Sequence, residues 1–499
     1  MSNIRRQSLI SSVVVYFGFA LGFLNTYLFT KEGGFTAEQY GLTGTFIAIA
    51  NIMFSFANLG SLAYVYKFFP YYKDNLPHEK NDMLAWSLLA SVSGFVLVML
   101  SGLFFKDLVI RKFSANSPEL VKYYYWIFPF GFGLTIYSLL EALAWQFKKA
   151  VLTSFLREVL FRLFTTALIV LSFAGIVKNF DLFIRLYAFT YIGIAAILFI
   201  YLAATGKVHL HFSVSNLTRR LRKKIITYAA FIWGGSLIFN IAQMIDTLII
   251  GSVVTGGMAY VGVYTLAQNV ASLVQAPQRG IIAASIGPLS QAWKDKNIAL
   301  INRIYHRSSL NQLIFAVGMF ALIWLNFTDG VLTFHLKPAY LAARDVFLYI
   351  GLMRIIDLGT GVNAQIIATS LFWRFEFVTG MILLALALPL NYLLAKHMGV
   401  VGPAISNLIA FTIYNTIRYI FLLRRFNMQP FTIKSLYTVL TGIGIYILCY
   451  LLFRQHQGFG WIVLRSSVFV ALYGGCIVLF DLTPDIKPVW ETIKKRLRR

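Results

Sequence analysis

The chain has 499 residues, of which 58% are hydrophobic and only 13% charged, and its formal net charge is +25. So apolar and charge-poor a composition excludes a soluble globular protein of this size and makes lipid the solvent for most of the surface. The basic residues stand between apolar runs rather than along a polar domain, which reads as a topology signal and a contact for anionic membrane lipids, with no nucleic acid as partner.

In chain order the apolar segments are 9–30, 39–66, 83–105, 123–143, 158–177, 182–204, 225–250, 258–286, 310–326, 341–370, 377–395, 401–423, 432–453 and 459–480. A bilayer core needs roughly 20 mostly apolar helical residues per crossing, so the pattern predicts an all-α polytopic membrane protein with 14 transmembrane helices. The first segment is too long for the apolar part of a signal peptide and lacks a small-residue cleavage pattern, so it is read as a span. Lys and Arg are retained on the cytoplasmic side. With the N-terminus inside, the inner connections gather Arg5 and Arg6, Lys148 and Lys149, Arg219 to Lys224, and the tail ending in Arg498 and Arg499, whereas outer connections hold few, such as Lys31, Lys178 and Lys337. Both termini are therefore expected to be cytoplasmic.

Comparing the chain with itself at an offset of 221 residues lays segments one to six on segments seven to twelve; Gly41 falls on Gly262, and Lys73-Asp74 on Lys294-Asp295. The expected organisation is a six-helix bundle over 1–204, a basic cytoplasmic linker over 205–224, a second six-helix bundle over 225–424, and two extra helices with a basic tail over 425–499. Six helices per repeat start both halves on the same face, which predicts a pseudo-twofold along the membrane normal and a central cavity. The longest inner connections, 205–224 and 287–309, have room for short amphipathic helices but not for a catalytic domain.

No glycine-rich loop ending in GK[ST] is present to cradle a nucleotide, and no HExxH, GxSxG or paired Cys/His spacing suggests a metal or a nucleophile. Cys449 and Cys476 lie in apolar segments as packing residues. The chain is thus expected to be neither an enzyme nor a cofactor protein.

Ionisable groups inside the spans are the informative ones, since each costs about 3 kcal/mol at a helix centre if it faces lipid. The eighth segment carries Gln268, Ser272, Gln275 and Arg279 at helical spacing, with Pro277 positioned to interrupt it. The tenth repeats the pattern with Arg354, Asp357, Gly361 and Gln365, where Arg354 and Asp357 are spaced to pair. The seventh adds Ser236, Asn240, Gln243 and Thr247 beside Asp246, the second offers Asn51, Ser55 and Asn58, and the first Asn25. Each has a structural alternative: amides and hydroxyls hydrogen-bond neighbouring helices, Arg354 and Asp357 can form a purely structural pair, and Arg279 can snorkel to the inner face. Glu141, Lys148, Lys149, Arg157, Glu158 and Arg162 are expected to form a solvated charge network at the inner connection of the fourth and fifth segments. Aromatic residues mostly suit interfacial belts and packing, with stacking on a sugar face as the alternative for Tyr64 and Tyr66 at the inner end of the second segment.

The fourteen spans, the six-plus-six repeat with two added helices and the stretch QMIDTLIIG…GVYTLAQNVASLVQAPQRG (243–280) together resemble the O-antigen and polysaccharide flippases of the multidrug/oligosaccharidyl-lipid/polysaccharide exporter (MOP) superfamily. The resemblance implies a bacterial inner-membrane protein that moves an undecaprenyl-pyrophosphate-linked oligosaccharide outward by alternating access, with polysaccharide polymerases and glycosyltransferases as candidate partner enzymes. The related lipid II flippases use cavity arginines for the pyrophosphate. Here Arg279 and Arg354 are the residues placed to match that role, and Asn25 and Asn58 in the first half point away from lipid II itself.

On this reading Arg279 and Arg354 attract the pyrophosphate, because guanidinium groups favour paired anionic oxygens. Gln275, Gln268, Gln243, Asn240, Asn51, Asn58 and Asn25 bind the sugar, and Asp246 and Asp357 couple an ion. The alternatives are a cation-coupled multidrug antiporter of the same superfamily and, from another class, a membrane-embedded glycosyltransferase or polymer ligase.

Overall fold

A computed structural model describes residues 3–483, which are all-helical. The helices are α1 (Asn3–Thr30), α2 (Ala37–Ala57), α3 (Ser61–Asn75), α4 (Met83–Phe104), α5 (Lys106–Phe113), α6 (Pro118–Lys122), α7 (Ile127–Gln146), α8 (Ala150–Ser154), α9 (Phe161–Phe173), α10 (Phe180–Ala188) and α11 (Thr190–Ala204). They continue as α12 (Asn216–Val253), α13 (Gly257–Val274), α14 (Gln278–Lys294), α15 (Ile298–Thr333), α16 (Ala343–Gly359), α17 (Asn363–Thr369), α18 (Trp373–Met398), α19 (Val401–Phe426), α20 (Ile433–Phe453) and α21 (Phe459–Leu479). Every expected span is helical, and among the described residues nine helices are long and apolar enough by themselves to cross a membrane. The basic tail from 484 onward lies outside the described residues.

Several spans are broken, each for a local reason. Between α2 and α3, the Asn58 side chain donates to the carbonyls of Phe54 and Ser55 at 3.1 Å and accepts from Gly60 N at 2.9 Å, taking over backbone bonds that a continuing helix would use. Gly60 follows at φ +77°, and a Cβ there would lie 2.5 Å from the Ala229 carbonyl oxygen, so only glycine fits. Pro277 separates α13 from α14, since it offers no N–H to the preceding turn. Gly361, at φ +64°, separates α16 from α17, and a Cβ on it would be 2.9 Å from Ser308 Oγ and Ser309 N. A π turn over Phe155–Leu160 joins α8 to α9 within the fifth span.

These breaks change the expected stripes. Gln268 and Ser272 share α13, Gln275 lies past its end and Arg279 belongs to α14, so the four do not form one continuous helical face. Gln365 likewise belongs to α17, apart from Arg354 and Asp357 on α16. The connections expected at 205–224 and 287–309 are also shorter than the sequence suggested. Ser215 accepts from Thr218 N at 3.1 Å and caps α12, which places Arg219 to Lys224 in the first turns of a 38-residue helix rather than in a linker. The connection between α14 and α15 is just 295–297.

The chain divides into two compact units, Met1–Gly262 and Val263–Arg499, so α12 packs with the first unit, beyond the boundary expected near 205–224. Its Trp233 donates to the Ser55 carbonyl at 2.7 Å. Asp82, fully buried at the start of α4, accepts from Ser215 N and Thr218 Oγ1, both at 2.8 Å, and so anchors the N-terminus of α12. Gly41 and Gly262, matched by the 221-residue offset, meet backbone to backbone: a Cβ on Gly41 would lie 2.8 Å from Gly262 N. The first unit's interior is aromatic, with Phe130 stacked on Tyr187 and Phe161 on Tyr191. In the second, one core gathers Leu289, Tyr305, Ile366 and Leu422. Another joins α15 to α20 and α21 through Ile314, Cys449, Phe469 and Tyr473, the last ring lying against Gly318.

Candidate functional site

In the first unit, polar chemistry collects around the π turn. Such a turn carries one residue more than an α turn and is often found where side chains must be re-aimed. Arg157 and Glu158 lie within it. Arg157 Nη1 donates to Glu141 of α7 at 3.0 Å, and Arg162 Nη1 pairs with Glu158 at 3.0 Å. Gly18 and Gly22 of α1 make room for Arg162, whose Nη1 and Nε would lie 2.8 and 3.1 Å from their added Cβ atoms. Asn25, one turn on, donates to the Arg162 carbonyl at 2.9 Å and accepts from Thr166 at 2.6 Å. Asn25 thus fastens α1 to α9, and Glu141 is buried in an ion pair rather than lying in a solvated network. Lys148, at the connection itself, is exposed.

In the second unit, the carboxylate of Asp357 sits one turn before the break in α16. It accepts from Gln278 Nε2 and from Asn415 Nδ2, each at 3.1 Å. Asn415 Oδ1 in turn accepts from Thr360 and Asn363, both at 3.0 Å, so the acid on α16 is tied directly to α14 and α19 and through Asn415 to α17. One turn along α19, the buried Arg418 pairs with Glu376 of α18 and also donates to Tyr414. Beside this network lies a cavity of about 410 Å³ whose wall includes Leu313, Thr360, Asn415, Tyr419, Ser435 and Leu436. It is largely apolar, with the Asn415 and Thr360 side chains at one end.

The remaining candidates fall as follows. Arg279 is exposed in the first turn of α14, and Arg354 is half-buried on α16. Asp246 is buried on α12, with Asn240 and Gln243 half-buried on the same helix. Gln268 and Gln275 are half-buried, and Asn51 donates to the Ile47 carbonyl of its own helix at 2.7 Å. Asn58 serves the break between α2 and α3. Asn25, Asn51 and Asn58 therefore have their amides engaged by helix backbone.

A model of the polysaccharide biosynthesis protein family matches residues 4–293. The chain belongs to that family. In fold it resembles the lipid II flippase MurJ in an inward closed conformation, at a TM-score of 0.73 and 17% identity, covering 95% of this chain and 98% of that one. It also resembles an inward-facing multidrug resistance MATE family transporter of the MOP superfamily, at a TM-score of 0.61 and 14% identity over 85% of this chain and 95% of that one. A Vibrio cholerae MATE transporter aligns at a TM-score of 0.55 and 15% identity, over 85% and 96%. No curated protein matches in sequence. The fold shared with these structures is all-α, as expected from the spans.

Sequence reasoning passed over several in-span charges. Arg418 and Arg465 are 3% and 5% exposed, more deeply buried than Arg279 or Arg354. Their signal was present, since each is a lone arginine in an apolar segment, but neither belongs to a polar stripe. Their partners, Glu376 and Asp329, lie on other helices.

Proposed function

We propose that this chain is a flippase that moves an undecaprenyl-pyrophosphate-linked oligosaccharide from the cytoplasmic to the outer leaflet of a bacterial inner membrane, for surface polysaccharide synthesis. Membership of the polysaccharide biosynthesis protein family supports the class of cargo. The observation that carries the transport reading is that three spans are broken at polar positions, with Asn58, Arg279 and Asp357 within one turn of the breaks. Discontinuous helices expose free backbone ends at membrane depth, and such ends are tolerated where they line a cavity rather than lipid.

In this mechanism Arg279, solvent-accessible just past the Pro277 break, meets the pyrophosphate first, and Arg354 takes it further along the path. Asn240, Gln243, Gln268 and Gln275 serve the sugar. Asp246 and Asp357 are the coupling carboxylates, and Asp357 is held by two neutral hydrogen-bond donors, Gln278 and Asn415. Arg279→Ala is expected to abolish surface polysaccharide at unchanged protein abundance in cells that depend on this copy. Normal polysaccharide in that strain would remove Arg279 from the path.

A cation-coupled multidrug antiporter is the second reading, favoured by the acidic pair Asp246 and Asp357. Drug-susceptibility assays on cells with and without the chain separate it from the first.

A further inference from the structure

An exposed cluster of aromatic and charged groups on α3, α7 and the π turn of the first unit has no part in the flippase reading. Along α7, Glu141 and Trp145 lie one turn apart on a single face, and across from them Thr153 and Arg157 do the same. Both pairs are joined: Arg157 to Glu141 at 3.0 Å and Trp145 Nε1 to Thr153 Oγ1 at 2.9 Å. The indole is thereby fixed in orientation, and Tyr66 of α3 stacks on it with ring centroids 5.8 Å apart and planes at 20°. Tyr66 is 41% and Trp145 45% exposed, so a broad aromatic surface stays open.

An aromatic pair at this depth is commonly part of an interfacial belt. Arg157 distinguishes the two roles. Paired with the buried Glu141, its side chain keeps 43% exposure. A guanidinium so accessible needs water or a polar ligand beside it rather than acyl chains. Glu141 occupies one of the guanidinium's edges and leaves the other donors free for a second acceptor.

We propose that Tyr66, Trp145, Arg157 and Glu141 form a sugar-binding subsite in the first unit. A pyranose ring lays its apolar C–H face on the Tyr66–Trp145 surface, while its hydroxyls accept from Arg157 and donate to Glu141. Aromatic stacking supplies apolar contact at little entropic cost, and the fixed ion pair supplies hydrogen bonds that acyl chains cannot use. The inference rests on the flippase reading for the identity of the sugar, which is a residue of the lipid-linked cargo, but the subsite chemistry is independent of it.

The test places a benzophenone amino acid at position 66 of the full-length chain in its own cells, with the same group at Leu97, 60% exposed on α4, as the lipid-facing control. After irradiation, position 66 is expected to capture a hexose-containing adduct, read by mass after acid release, and position 97 only phospholipid. Phospholipid alone at both positions would place Tyr66 against lipid and overturn the subsite, even if deleting the chain still abolishes surface polysaccharide. Conversely, a sugar adduct at 66 in cells whose polysaccharide survives deletion would keep the subsite and sink the flippase reading. In parallel, Tyr66→Leu and Trp145→Leu are expected to cut polysaccharide output roughly ten-fold, whereas Tyr66→Phe and Trp145→Phe, which keep a ring face, stay within about two-fold of the native chain. Equal loss in the leucine and phenylalanine variants would assign the rings a purely structural role.

Discussion

Two ion pairs inside the spans, Arg465–Asp329 in the second unit and Arg157–Glu141 in the first, are built from the same groups at nearly the same distance, 2.8 and 3.0 Å, yet they do different things. In Arg465–Asp329 both side chains are buried, at 6% and 8% exposure, and every neighbour helps to close the pair. Arg465 Nε donates to Asn326, while Asp329 accepts from Thr333 and from Gly458 N. In Arg157–Glu141 the acid is buried and the guanidinium is open. A charge pair in a membrane protein therefore declares its role by what remains unsatisfied. The closed pair fastens α21 to α15, and the open one keeps donors for something that comes and goes.

The contrast is easiest to break with the closed pair. Arg465→Met leaves Asp329 buried without its counter-charge and is expected to cost about 3–5 kcal/mol, read as a large fall in the thermal midpoint of the purified protein. Adding Asp329→Leu is expected to restore much of that loss, since an apolar pair carries no desolvation cost. If Arg465→Met were neutral, the clamp assigned to this pair would not exist.

The all-helical, apolar character of the segments was legible in the sequence because lipid enforces both length and apolarity. The breaks were legible at Pro277, where a residue lacks an N–H, but not at Gly361 or Asn58. Gly361 breaks its helix through a left-handed φ and the close approach of Ser308 and Ser309, which lie some fifty residues away in sequence. The stripe on segment ten assumed an unbroken helix and so joined Gln365 to Arg354 and Asp357, which belong to a separate one. Arg418 and Arg465 went unnoticed because their partners lie on other helices, and pairing across helices leaves no mark in periodicity.

Gly361→Ala sharpens the account of the breaks. The positive φ, together with a Cβ 2.9 Å from Ser309 N, is expected to cost about 1–3 kcal/mol, again read as a thermal midpoint. Arg157→Met returns to the ion pairs. It too leaves a buried acid, Glu141, without its counter-charge, but the place vacated by a side chain that is 43% exposed admits water to the carboxylate, so the loss is expected to be about 1–2 kcal/mol, below that of Arg465→Met. Equal losses in the two arginine variants would erase the distinction between closed and open pairs. The smallest effect belongs to Gln278→Ala, which removes one of the two amide donors to Asp357 and is expected to cost about 0.5–1.5 kcal/mol, read as a small fall in the thermal midpoint.

Transport itself is tested most directly by reconstituting the full-length chain into liposomes that carry an undecaprenyl-pyrophosphate-linked oligosaccharide in the inner leaflet, and following its exposure to a membrane-impermeant lectin. Oligosaccharide should become lectin-accessible in vesicles containing the native chain, and remain shielded in empty vesicles and in those with Arg279→Ala. Oligosaccharide that stays shielded with the native chain, under an imposed ion gradient as well as without one, would contradict the account.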